Sequence, residues 1–193
     1  MLNLLRNKQQ VSPAPYIFFH SPSGHWWEEG TDPILLNCRS INEEAVQHLL
    51  SSLSVNVSKP DALLAWLETN DASYITALHV HLDAYDKAPS AARWSRLFEK
   101  LRREATNLQH LSVYWDHEGY LHRGLGKDIS FVQALVQLKV TKTISIGGFY
   151  AQRWPEYLEE KMGLKPSNDQ NIPGSTWSRM LKNYQKGTEG IRP

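Results

Sequence analysis

The sequence predicts an α/β fold in which parallel strands lie side by side in chain order, with helices on one side. Three observations carry that expectation. The segments YITALHVHLD and LQHLSVYWD alternate apolar and polar residues, the period of a strand with one buried face. Their centres and that of KTISIGG, at Val80, Val113 and Ser145, lie 33 and 32 residues apart. Each interval holds a helical pattern, and strand–helix–strand crossovers of that length imply parallel pairing. A doubly wound sheet is the competing arrangement. Its strands are covered on both faces and read as continuous apolar runs, which these do not.

The elements follow in order. Residues 1–33 read as an aromatic, loop-rich N-terminal arm, punctuated by Pro13, Pro15, Pro22, Pro33, Gly24 and Gly30. It still carries Tyr16, Phe18, Phe19, Trp26 and Trp27, and aromatic rings seldom stay in water, so part of it is expected to pack on the body, with YIFFH as a short strand. A helix–strand repeat body spans 34–164. After the apolar run ILLNC, Ser40 with Glu43 three positions on forms a capping box. The helix it opens places Ile41, Ala45, Val46, Leu49, Leu50 and Leu53 on one face. SVNV alternates as a strand, and Ser58 is the expected cap of a second helix with Pro60 in its first turn and Leu63, Leu64 and Leu67 as its stripe.

In the next strand Leu78, Val80 and Leu82 oppose Ala77, His79, His81 and Asp83. Pro89 and Ser90 precede a helix with Trp94, Leu97, Phe98, Leu101 and Ala105 as its seam. Leu111, Val113 and Trp115 repeat the strand pattern against Ser112, Tyr114 and Asp116. A glycine-bearing loop then leads to Asp128 or Ser130 as cap of a helix through Phe131, Val132, Leu135 and Leu138. Ile144 and Ile146 point inward from the following strand. Pro155 sits near the start of the last body helix, and Gly163 ends it. Residues 165–193 form a polar tail with a short amphipathic helix, Trp177, Met180, Leu181 and Tyr184, expected to dock back, and Gln185–Pro193 is expected to be disordered. Stacking of the strand–helix units in order gives a short leucine-rich-repeat-like arc. Its uncovered face would show His79, His81, Ser112, Tyr114, Asp116, Thr143 and Ser145.

Composition narrows the function classes. At 193 residues the length suits one domain plus tails, or two small domains at most. Lys+Arg 21 against Asp+Glu 20 gives a net charge of +1, without the basic excess of a dedicated nucleic-acid binder. Cys38 is the one cysteine, so no intramolecular disulfide forms and a stapled secreted scaffold is excluded. The opening MLNLLRNKQQ is too short an apolar run for a signal peptide, and no run reaches the ~18 apolar residues of a membrane span. An intracellular location, cytoplasm or nucleus, and no membrane partner are therefore expected.

The order of motifs resembles a group of fungal F-box-like or leucine-rich-repeat-like proteins of largely unknown function. The resemblance rests on ILLNCRSINEEAVQHLL, SKPDALLAWLE, ITALHVHLD, LQHLSVYWD and GGFYAQRWPEYLEEKMG, and covers about residues 34–164. Members usually begin with a Leu-Pro-x-Glu-Ile-Arg helix of F-box type, which this sequence lacks. The resemblance implies a helix–strand repeat body and a protein-interaction role, and it carries no catalytic residues.

Candidate chemistry is sparse. His79 and His81 share one strand face with Asp83, a row that suits zinc or iron if Asp116, His110 or His117 supply further ligands. Asp116, His117, Glu118 and His122 concentrate acid and base on a loop after a strand, where ligands of parallel sheets bind. GLGKD at 124–128 fails as a phosphate loop, because its glycines are misspaced and Asp128 replaces the hydroxyl. Arg93, Arg96, Lys100 and Arg103 form a basic helix stripe that an RNA would meet with steep salt dependence, but Glu99 and Glu104 dilute it. Cys38 reads as a buried structural thiol. Trp26, Trp27 and Trp154, near Phe149 and Tyr150, are of the types that anchor interfaces.

The function expected is a non-catalytic protein-interaction module, an adaptor or scaffold. Its partner-binding residues would be His79, His81, Ser112, Tyr114, Asp116, Trp26, Trp27 and Trp154, with no cofactor and no metal. Nucleic acid is not the expected partner. The alternative is a metal-dependent hydrolase centred on His79, His81, Asp116 and His117.

Overall fold

The computed structural model describes the backbone of residues 17–20, 53–82, 90–115, 124–168 and 175–193, and side chains in 53–82, 90–115, 124–168 and 179–193. The chain is an α/β protein. Its strands are β1 (Ile17–His20), β2 (Leu53–Val57), β3 (Ile75–Leu82), β4 (His110–Trp115), β5 (Thr143–Gly148) and β6 (Ser167–Asn168). Its helices are α1 (Pro60–Trp66), α2 (Ala91–Glu104), α3 (Ile129–Leu135), α4 (Trp154–Met162) and α5 (Ser175–Lys186). The six strands stand in chain order, and β2 to β6 pair in parallel. β1 runs antiparallel to β2 at one edge, Ile17 opposite Val57 and His20 opposite Ser54, so the YIFFH strand exists and the sheet is not wholly parallel.

Alternation sets the two faces. Leu111, Val113 and Trp115 are buried while His110, Ser112 and Tyr114 are half-buried, and β2 alternates the same way. In β3 the pattern slips once. Thr76 and Ala77 both separate buried Ile75 from buried Leu78, where the β2–β3 register shifts at Leu53/Ser54 and Thr76 Oγ1 donates to Leu53 O at 3.3 Å.

The buried strand residues form one contiguous core with the inner stripes of α1 to α4. Trp94, Leu97, Phe98 and Leu101 of α2 recur at i, i+3, i+4 and i+7 on a single face. Phe131 of α3 meets Trp94, Phe98 and Trp115 edge-on, with centroids 5.5 to 6.0 Å apart. Full burial of such residues contributes about 1.5–3 kcal/mol each, which makes this face the main source of stability.

Several local expectations change. Leu53 begins a strand rather than closing the helix opened by Ser40, whose span lies outside the described residues. The N-cap of α1 is Lys59, not Ser58, because Pro60 holds the residue before it extended (φ −122°, ψ 114°). Asp128 does cap α3, accepting from Phe131 N at 3.1 Å. Gly163 does end α4 in the left-handed region, at φ 70°.

Residues 185–193 are ordered on the body. Thr188 is fully buried; its hydroxyl donates to Gln185 O at 2.7 Å and accepts from Gln152 N at 3.1 Å. Ile191 packs against the core. As expected, α5 docks back. Tyr184 meets Phe149 edge-on at 5.5 Å, under Lys127 Nζ at 4.5 Å.

Candidate functional site

The face of the sheet turned away from the described core is polar, and the register lines its residues up in rows. Asn56, His79, Ser112, Ser145 and Ser167 stand side by side across five strands. One row toward the amino ends come Ser54, Ala77, His110 and Thr143. There His110 Nδ1 and Thr143 Oγ1 are 2.8 Å apart, a hydrogen bond across the β4–β5 pair. One row toward the carboxyl ends come His81, Tyr114 and Gly147.

That last row has a built geometry. The His81 and Tyr114 rings stack with centroids 5.4 Å apart and planes 11° from parallel. A Cβ on Gly147 would sit 3.0 Å from Tyr114 Cδ2, so the phenol ring lies across the neighbouring strand where that strand has no side chain. His81 is exposed and Tyr114 half-buried. An aromatic held from both sides yet still accessible has little rotamer freedom left to lose on binding.

The expected site residues divide accordingly. His79, His81, Ser112 and Tyr114 share the polar face, together with Ser145 and Thr143. Trp154 does not join them, a correction with a simple cause: it opens α4, has no accessible surface, and packs edge-on against Trp115 at 5.3 Å. Phe149 and Tyr150 are buried too, at 3% and 1% exposure. Trp26, Trp27, Asp116, His117, Glu118, His122 and Cys38 lie outside the described residues. Among the described residues no three His, Cys, Asp or Glu side chains are grouped to hold a metal ion. The rows also bring in Asn56, Gly147 and Ser167, which are not among the expected site residues. The parity of Asn56 with Ser54 in SVNV signalled its face, whereas nothing in the sequence marked Gly147 as lying beneath Tyr114.

The other candidates resolve as structure. Gly126 of GLGKD is buried, and its carbonyl accepts from Ala151 N at 2.9 Å. A Cβ there would come 2.0 Å from Phe149 O, so this glycine admits a neighbouring segment rather than a phosphate. In the basic stripe of α2, Arg93 pairs with Asp61 at 2.6 Å, Lys100 with Glu104 at 3.4 Å, and Arg103 Nε reaches Glu99 O at 3.4 Å. Such local pairing weakens the field an RNA would meet.

Among the described residues, aromatics pack together at the carboxyl ends of β4 and β5. Trp115 lies against Tyr150 at 5.6 Å as well as Trp154 and Phe131. Burial pushes the Tyr150 phenol up to about 12, with Asn168 of β6 as the polar neighbour pulling it down. The indole N–H groups of Trp94, Trp115 and Trp154 are buried without an acceptor, so this core gives up hydrogen bonds for packing. No helix among the described residues is long and apolar enough to cross a membrane. Comparison of the chain with protein-family models, curated proteins and solved structures finds no match.

Proposed function

We propose that this chain is a non-catalytic interaction module, an adaptor or scaffold inside the cell, that binds a protein partner through the polar face of its sheet. One observation carries the reading: the His81–Tyr114 stack laid over Gly147, an accessible aromatic fixed in a field of polar side chains. Hot spots favour tyrosine for this reason, since it covers much area with few rotors. Asn56, His79, Ser112 and Ser145 stand in the row beside it and give it the polar surroundings of such an anchor. The strict chain order of β2 to β6 supports the finer architectural reading, a leucine-rich-repeat-like arc, and with it the kinship to the fungal F-box-like and leucine-rich-repeat-like proteins.

The test is affinity capture followed by reconstitution with the purified partner. Tyr114→Ala should weaken that complex by about 2 kcal/mol, roughly thirtyfold, with hydrogen-exchange protection on β3 and β4. A complex indifferent to Tyr114→Ala, protected elsewhere, would overturn the reading. A stoichiometric metal in the purified protein, lost in His81→Ala, would replace it with the hydrolase alternative.

A further inference from the structure

The edge of the sheet where the strands begin carries a charge pattern that neither the core nor the polar face requires. Each crossover leaves a helix and returns to the amino end of the next strand, and these returns lie side by side. Asn107 Nδ2 donates to Ser73 O at 2.9 Å, Gln109 N to Thr76 O at 2.8 Å, Lys142 N to Gln109 O at 2.9 Å, and Ser167 Oγ to Ile144 O at 3.3 Å. The return before β3, residues 67–74, holds Glu68 and Asp71 and no cation. The next three hold Arg102 and Arg103, then Lys139 and Lys142, then Lys161 and Lys165, all exposed.

Local partners account for part of this set only. Arg102, Arg103 and Lys161 sit in the last turns of α2 and α4, where a cation complements the helix dipole. Lys161 also pairs with Glu160 at 2.8 Å, and Glu104, at the end of α2, is taken by Lys100. Lys139, Lys142 and Lys165 lie beyond their helix ends, where the dipole has no call on them. Among the described residues they and Arg102 take part in no ion pair. Adjacent strands stand about 4.8 Å apart, so the cations of the neighbouring returns before β4, β5 and β6 line one edge and repel one another.

We propose that this rim is a second docking surface, one that takes an acidic peptide segment of a partner protein. Its charge complements a run of carboxylates, and the lysine heads are mobile point charges that suit no fixed geometry. Residues 102–109, 136–143 and 161–167 hold no aromatic ring, and the nearby Tyr157 ring lies under Lys161 Nζ at 5.8 Å, whereas single-stranded nucleic acid is gripped by stacking on open rings. The rim lies at a different edge from the His81–Tyr114 row, so its test does not need the partner of that face.

The experiment is fluorescence anisotropy of a labelled glutamate homopeptide titrated with the full chain. Saturable binding is expected, weakened about tenfold in Lys139→Glu/Lys142→Glu and about as much by raising salt to physiological strength. Lys182→Glu on α5, whose docking lies at the carboxyl ends, should change it less than about twofold. Unchanged thermal midpoints establish that the variants are folded, and Lys139→Gln/Lys142→Gln serves if the charge reversal is not tolerated. The proposal is overturned by absence of saturable binding, by binding indifferent to these lysines, or by tighter binding of a single-stranded RNA of matched charge.

Discussion

Tyr114 and Trp115 are neighbours on one strand and differ in everything the fold assigns them. Trp115 has no accessible surface and touches Phe131, Tyr150 and Trp154; Tyr114 is half-buried, stacked on His81. The next strand answers each with a glycine. Gly147 lies under the Tyr114 ring, and Gly148 lies against the Trp115 backbone. One face thus gains its energy by excluding water, while the other keeps polar groups in contact with it. The difference teaches that the aromatic content of this chain belongs to two separate tasks, and residue type alone does not say which.

The largest expected effect separates the two glycines. Gly148 has φ +80°, and a Cβ there would stand 1.6 Å from Trp115 O, so Gly148→Ala should cost about 4 kcal/mol or more in denaturant unfolding, or prevent folding. Gly147→Ala meets only the movable ring of Tyr114, 3.0 Å away, and should cost less than about 1 kcal/mol. Equal losses would mean that the polar face is packed as tightly as the core.

A smaller effect assigns the tail to the covered side. Thr188→Val leaves Gln152 N–H without its acceptor and should cost about 1–2 kcal/mol, whereas a loosely held tail would show no change.

A further effect is alkaline and confined to the core. Burial raises Tyr150 from 10.0 to about 12, so the neutral phenol is favoured in the folded state. Its contribution is fully present below pH 10 and disappears as pH rises through about 12. Tyr150→Phe should therefore flatten the loss of stability across that interval. A slope unchanged by the substitution would assign the loss to other groups.

The sequence carried the parallel strands because their alternation and the crossover lengths are local and periodic. The inward residues Leu111, Val113 and Trp115 and the outward Ser112 and Tyr114 followed from parity alone. Nothing in the sequence marks β6, since Ser167 and Asn168 have no pattern and pair only because β5 offers them an edge. Trp154 goes to the core, not to the expected partner surface, because an indole suits a hot spot and a core equally well, and only its position at the start of α4 decides between them. Thr188 shows the reverse. Its polar surroundings in QKGTEG suggest disorder, yet the contact that orders it, to Gln152, is 36 residues away in the chain. The site was half legible: the faces could be read, but the His81–Tyr114–Gly147 row depends on register, which no single strand encodes.

The most direct measurement compares Trp115→Ala with Tyr114→Ala by equilibrium denaturation under one set of conditions. The two-face account predicts a loss of about 3–5 kcal/mol for Trp115→Ala and less than about 1 kcal/mol for Tyr114→Ala, whose effect should instead fall on partner binding. A Tyr114→Ala loss as large as that of Trp115→Ala would contradict it, because the polar face would then be a second core.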